Sequence, residues 1–138
     1  MKKLAIIFVA LFLFASFSFV SCAAPGSTGT ALITGAVTIG PITPVEQPGQ
    51  CPPVSAEVFS SRKIMIYNAS GQKLLQQVDI NQIGQTASGY YTALVAPGTY
   101  TIDINHAGID SAANLPQKIT VSAKETVTID IDIDTGIR

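Results

Sequence analysis

The sequence predicts an all-β protein, a seven-stranded Greek-key β-sandwich that follows a cleaved N-terminal signal. Three observations point there. From Thr30 onward apolar and polar residues alternate, the pattern of strands with one buried face. Glycine and proline interrupt the alternation at short intervals, and no stretch carries a helical repeat. The alternating segments number seven in about 105 residues, the size of one two-sheet domain.

The N-terminal region has a different character. Lys2 and Lys3 precede an uncharged run from Leu4 to Val20, slightly short of the roughly 20 apolar residues that span a bilayer. A basic start, an apolar run and small residues at its end describe a secretory signal. Phe19-Val20-Ser21-Cys22 resembles a bacterial lipobox, although Phe19 stands where leucine is usual. The resemblance implies removal of residues 1–21 and lipidation of Cys22 by acyl chains such as palmitate. It places the protein on the cell membrane or outer membrane, facing outside the cytoplasm. Each buried CH₂ of such a chain contributes about 0.8 kcal/mol. Ordinary cleavage near Ala23-Ala24, leaving an unlipidated secreted domain, is the alternative. Residues 22–30, rich in small and turn-forming types, then form a flexible tether, and residues 31–138 form the domain.

Ala31 to Ile39 is the first strand. Gly40 to Pro53 holds five prolines, each lacking a backbone donor, so it forms a long loop of the kind that often carries function. Arg62 to Tyr67 and Gln72 to Ile80 form a hairpin through Asn68-Ala69-Ser70-Gly71. Asn81 to Ser88 is a polar loop. Gly89 to Val95 and Gly98 to Asn105 are joined at Ala96-Pro97-Gly98, a sequence suited to a type II turn. His106 to Pro116 is irregular. Gln117 to Ser122 and Thr126 to Asp134 close the domain as a hairpin through Ala123-Lys124-Glu125. In that last strand Val127, Ile129, Ile131 and Ile133 face the core, and Asp130, Asp132 and Asp134 face solvent. The remaining inward set is Leu32, Val37, Ile64, Ile66, Leu74, Val78, Tyr91, Leu94, Tyr100, Ile102, Ile104, Ile119 and Val121.

Gly89-Tyr90-Tyr91, followed by Leu94-Val95-Ala96-Pro97-Gly98-Thr99-Tyr100, resembles the carboxypeptidase regulatory-like (transthyretin- or prealbumin-like) domain. Gly35-Ala36-Val37 and the Gly71 hairpin with Asp79 fit the same pattern, and Asn81 to Ser88 looks like an insertion in it. The resemblance spans residues 31–138. It implies a sandwich that serves as a structural or binding module, without a cofactor.

Removing Lys2 and Lys3 with the signal leaves six basic residues against 9 acidic ones, a net charge of −3. No basic stripe remains for phosphates, so nucleic acid is not an expected partner. Lipidation of Cys22 leaves Cys51 a lone thiol; without it the two cysteines could pair across the Pro-rich loop. Asp130, Asp132 and Asp134 share a face at roughly 6.6 Å spacing. A Ca²⁺ site is one reading, but a straight strand spreads them too widely for one ion, which favours a solvated acidic face.

Asp134-Thr135-Gly136 is a single copy of a motif that aspartic proteases need twice. Cys51 and the sole histidine, His106, carry no nucleophile signature and cannot fill a zinc site. These features predict a non-enzymatic, membrane-tethered module. Its partner is an envelope protein met through Pro44, Val45, Glu46 and Cys51, or a glycan stacked on Tyr67 or Tyr90.

Overall fold

The computed structural model describes residues 29–44, 49 and 52–138. The signal, Cys22, nearly all of the tether, Val45, Glu46 and Cys51 lie outside the described residues. In chain order the elements are β1 (Ala31–Gly40), α1 (Ala56–Ser60), β2 (Lys63–Asn68), β3 (Leu74–Asp79), β4 (Asn81–Gln82), β5 (Ser88–Val95), β6 (Gly98–Ile104), β7 (Gln117–Val121), β8 (Thr126–Thr128) and β9 (Ile131–Asp134). One sheet has the order β4-β5-β1, with β8 and β9 pairing in parallel along the far side of β1. The other has the order β3-β2-β6-β7, all antiparallel. The two pack face to face around an all-β sandwich core.

Alternation decides which side of each strand is inside. β1 buries Ala31, Ile33, Val37 and Ile39, and β5 buries Tyr91, Ala93 and Val95. Leu94 is therefore 64% exposed, contrary to expectation, because strand parity cannot place both Tyr91 and Leu94 in the core. Leu32 also turns outward, to only partial burial. Leu74 is exposed because it lies on an edge strand, where a bulge separates the Ile66 and Tyr67 pairings.

Three connections differ from expectation. β5 and β6 do not turn back on one another; the chain crosses between the sheets at Ala96-Pro97. Gly98 has no positive φ, so no type II turn forms. The corner is instead closed by Tyr100, whose hydroxyl donates to the Ala96 carbonyl at 2.6 Å. β7 and β8 likewise lie in opposite sheets rather than in one hairpin. Alternating sequence looks the same whether two segments pair within a sheet or face each other across a core. Asn81 to Ser88 is not a simple loop, since β4 pairs with β5 and forms a short hairpin with it.

The predicted last strand is divided into β8 and β9, and the reason is local. Gly35 lets the Ile129 carbonyl approach so closely that a β-carbon there would sit 1.8 Å from the oxygen. The Ile129 N–H donates to Thr34 O, and its carbonyl accepts the Tyr91 hydroxyl at 2.9 Å. At the break the Asp130 carboxylate accepts the Ala36 N–H at 2.8 Å, doing the work of a missing strand carbonyl. Burial and the nearby Asp130 charge push the Tyr91 hydroxyl above its ordinary range, so it remains a donor.

Helix α1 was not foreseeable from periodicity. Its five residues are too few to show a repeat or to be stable alone. Ser55 caps it by accepting the Glu57 N–H, and Phe59, 2% exposed, anchors it in the core.

Candidate functional site

The topology gives the sandwich two unlike ends. The first gathers the start of β1, the 68–73 turn, the β5–β6 corner and the 122–125 turn. Here the chain arrives at Gly29 and Thr30, with Lys124 N–H donating to Thr30 O at 3.0 Å. The opposite end gathers the two flanks of the Pro-rich connection, residues 41–44 and 52–55, with α1, the β4–β5 turn, residues 105–116 and the C-terminal residues.

That second end is the candidate contact surface, and side chains hold it together. The Thr135 N–H donates to Gly40 O at 3.1 Å, and its hydroxyl donates to Pro41 O at 2.6 Å, pinning the start of the Pro-rich connection. Its return is fixed where Val54 N–H donates to Gln85 O, and the Gln82 amide donates to Val54 O and Thr86 O. Between these anchors Pro44 is exposed.

Arg62, just before β2, forms a bidentate pair with Asp110 at 2.6 and 2.9 Å and also donates to Val58 O at 2.7 Å. Both side chains are largely buried, at 14% and 3% exposure, so the pair clamps α1 to the 105–116 loop. Nothing in the local sequence marked this pair, because its members are 48 residues apart. Asp110 in a loop rich in small residues was the available signal.

His106 takes a left-handed conformation, with φ 45°. Its Nδ1 meets Asp110 O at 3.1 Å and its Nε2 meets Asp103 Oδ1 at 3.2 Å. The Asp110 carbonyl, with help from Asp103, raises its pKa above the ordinary value. Both ring nitrogens are engaged, so His106 offers no unoccupied base. Ile83 and Ile109 expose 52% and 73% of their surface at this end, apolar residues set singly in polar loops.

The three aspartates line a groove of about 460 Å³ with Ser111, Ala112, Ala113 and Asn114. Protein donors already occupy two of them. Asp130 accepts from Ala36 N–H, and Asp134 accepts from Gly136 N–H and pairs with Arg138. The Arg138 guanidinium and the Gly136 N–H hold the Asp134 carboxyl down at about 2. Among the described residues, no three His, Cys, Asp or Glu side chains converge to hold a metal. The 111–114 segment instead covers the β9 edge: Ser111 bridges to Asp134, and the Asn114 amide donates to Asp130 O.

Tyr67 and Tyr90 are not brought together. Tyr90, 49% exposed, stands on the outer face of the β1 sheet between Ala36 and Asn81. The next row along that face is Thr92, Thr34 and Thr128. Tyr67 is half-buried on the outer face of the other sheet, between Leu74 and Thr101. Of the expected binding residues Pro44, Val45, Glu46 and Cys51, only Pro44 falls within the described residues.

The sequence matches no family model and no curated protein. Among solved structures it is similar to a DUF3823 family protein from Parabacteroides merdae, at 15% identity and a TM-score of 0.40. That similarity covers 76% of this chain and 46% of the other, so the chain spans less than half the length of that protein.

Proposed function

We propose that the protein is a non-enzymatic envelope module, lipid-anchored through Cys22, that holds out the loop end of its sandwich to a partner protein. One observation carries this reading: the chain arrives at one end of the sandwich, and both flanks of the Pro-rich connection, the 105–116 loop and exposed Ile83 and Ile109 gather at the other. A tether attached at one end leaves the other directed away from the membrane. Binding residues concentrate on loops held by a rigid scaffold, and here the scaffold is cross-braced by Arg62 and Asp110. The carboxypeptidase regulatory-like pattern around Pro97-Gly98-Thr99-Tyr100 fits such a module, since Tyr100 closes an inter-sheet corner in the way a tyrosine corner does.

Two measurements test it. The intact mass of protein extracted from its membranes should match a chain beginning at Cys22 plus acyl groups. Replacing residues 45–51 with a short glycine linker should leave the fold intact and abolish co-purification with the partner. An unchanged partner set after that replacement removes the contact surface.

A second reading, glycan binding, is favoured by Tyr90 beside the threonine row, an aromatic face next to hydroxyl groups. Sedimentation with peptidoglycan that Tyr90→Ala abolishes would support it. Equal sedimentation of the two proteins removes Tyr90 from the account.

A further inference from the structure

We infer that the end of the sandwich where the tether arrives is a docking face for an anionic lipid surface. The orientation rests on the anchored reading above; the surface itself is read from charge and exposure.

Ionic groups are sorted along the long axis. At and around the loop end Arg62, Lys63 and Arg138 are each paired with a carboxylate: Asp110, Asp79 and Asp134. The other basic side chains, Lys73, Lys118 and Lys124, form no ion pair among the described residues. Lys73 and Lys124 lie at the tether end, and Lys118 stands at mid-height of the sheet. Lys73 follows the 68–71 turn and Lys124 is the neighbour of Thr30. Lys118 shares a register row with Thr101 and Tyr67. The acidic residue among them, Glu125, accepts the Ser122 N–H at 2.6 Å within its own turn. Unpaired acids such as Glu57 and Asp132 lie toward the loop end. A protein with an overall negative charge thus turns a cationic end toward its point of attachment.

The same end carries exposed leucines. Leu74 and Leu75, next to Lys73, are 38% and 49% exposed, and across the sandwich Leu94, beside Leu32 on the outer face of the β1 sheet, is 64% exposed. Lysines flanking leucines form the composition that lies on an anionic membrane interface. The distance fits as well. Cys22 precedes Gly29 by seven residues, which span at most about 25 Å fully extended. An anchor that short keeps this end at high effective concentration beside the bilayer, so a weak contact suffices.

The test is amide hydrogen exchange on the protein purified from its membranes and placed on phosphatidylcholine vesicles with or without phosphatidylglycerol. Anionic vesicles should slow exchange several-fold in the 68–75 and 122–125 turns. The β4–β5 turn should be unchanged, and high salt should remove the effect. Lys73→Glu combined with Lys124→Glu, both on exposed turns, should abolish the protection without altering the melting temperature. Equal exchange on the two kinds of vesicle, or protection that persists in the double variant, overturns the docking face. Intact mass reads the anchor separately: an unacylated chain that still shows lipid-dependent protection would sink the anchor and leave the docking face standing.

Discussion

The two ends of the sandwich solve the same problem by different means. At the tether end the chain reverses or crosses in a few residues, and the bonds that close it are local, between residues of the same turn or corner. Gly71, at φ 73°, lets Asn68 O accept the Gly71 N–H, while the Asn68 side chain accepts from Gln72 and Lys73. Tyr100 closes one corner and Glu125 another. At the loop end the connections are long, and the braces are side chains from distant parts of the chain: Arg62 to Asp110, Thr135 to Pro41, Gln82 to Val54. Short turns leave little surface to vary. Long loops over a braced frame leave Pro44, Ile83 and Ile109 exposed without costing the fold its core.

The largest effect should come from breaking the brace. Asp110→Ala leaves the largely buried Arg62 guanidinium without its bidentate partner and should cost about 3–5 kcal/mol in urea unfolding. Amide exchange should quicken first in residues 105–116 and in α1. A loss below about 1 kcal/mol would mean that the loop end is held by its local bonds, as the tether end is, and not by the distant pair.

Gly35 lies between the two ends, where β8 gives way to β9. In Gly35→Ala the new methyl meets the Ile129 carbonyl oxygen at 1.8 Å and its carbon at 2.6 Å. The Ile129 backbone and, at 3.0 Å, the buried Tyr91 ring leave no flexible group to yield. About 3 kcal/mol is expected, at the upper end of over-packing costs. A neutral substitution would show that β8 and β9 can slide along β1, and the division between them would then lose its structural meaning.

The sequence made the middle of the molecule more legible than either end. Each alternating segment does contain strand, and Ile129, Ile131 and Ile133 are buried while Asp130 and Asp132 are exposed, as period-two patterning requires. Patterning cannot say which sheet the next strand joins, so the crossings after Val95 and Val121 looked like turns within a sheet. It also fails for short elements, which is why β4 and α1 escaped notice. The candidate site was less legible still. Arg62 and Asp110 meet only once the tertiary fold exists, and Tyr67 and Tyr90, alike in the sequence, lie on opposite outer faces.

A smaller effect tests the tether end by the same logic. Tyr100→Phe removes the hydroxyl that donates to Ala96 O while keeping the half-buried ring. One hydrogen bond at a partly solvated corner contributes about 1 kcal/mol. A loss approaching that of Asp110→Ala would mean that the tether end also depends on a single side-chain brace.

The smallest effect is the pH response of the loop end. Hydrogen bonding to the Asp110 carbonyl, aided by Asp103, raises the pKa of His106 above its ordinary value of 6.5. A raised folded-state pKa means that the protonated ring binds the fold more tightly than the neutral one. The stabilisation is therefore complete below 6.5, the value without the fold, and is lost as pH rises through the folded value. The His106 side chain is 52% exposed, so solvent screens most of this interaction. A modest fall in melting temperature across that window should flatten in His106→Gln. An NMR titration of the His106 ring gives the direct check, and Asp103→Asn should bring its midpoint partway down. A midpoint at or below 6.5 in the parent protein would mean that the 105–116 loop does not hold the ring against Asp110 in solution. This end would then be braced by Arg62 to Asp110, Thr135 to Pro41 and Gln82 to Val54, without His106.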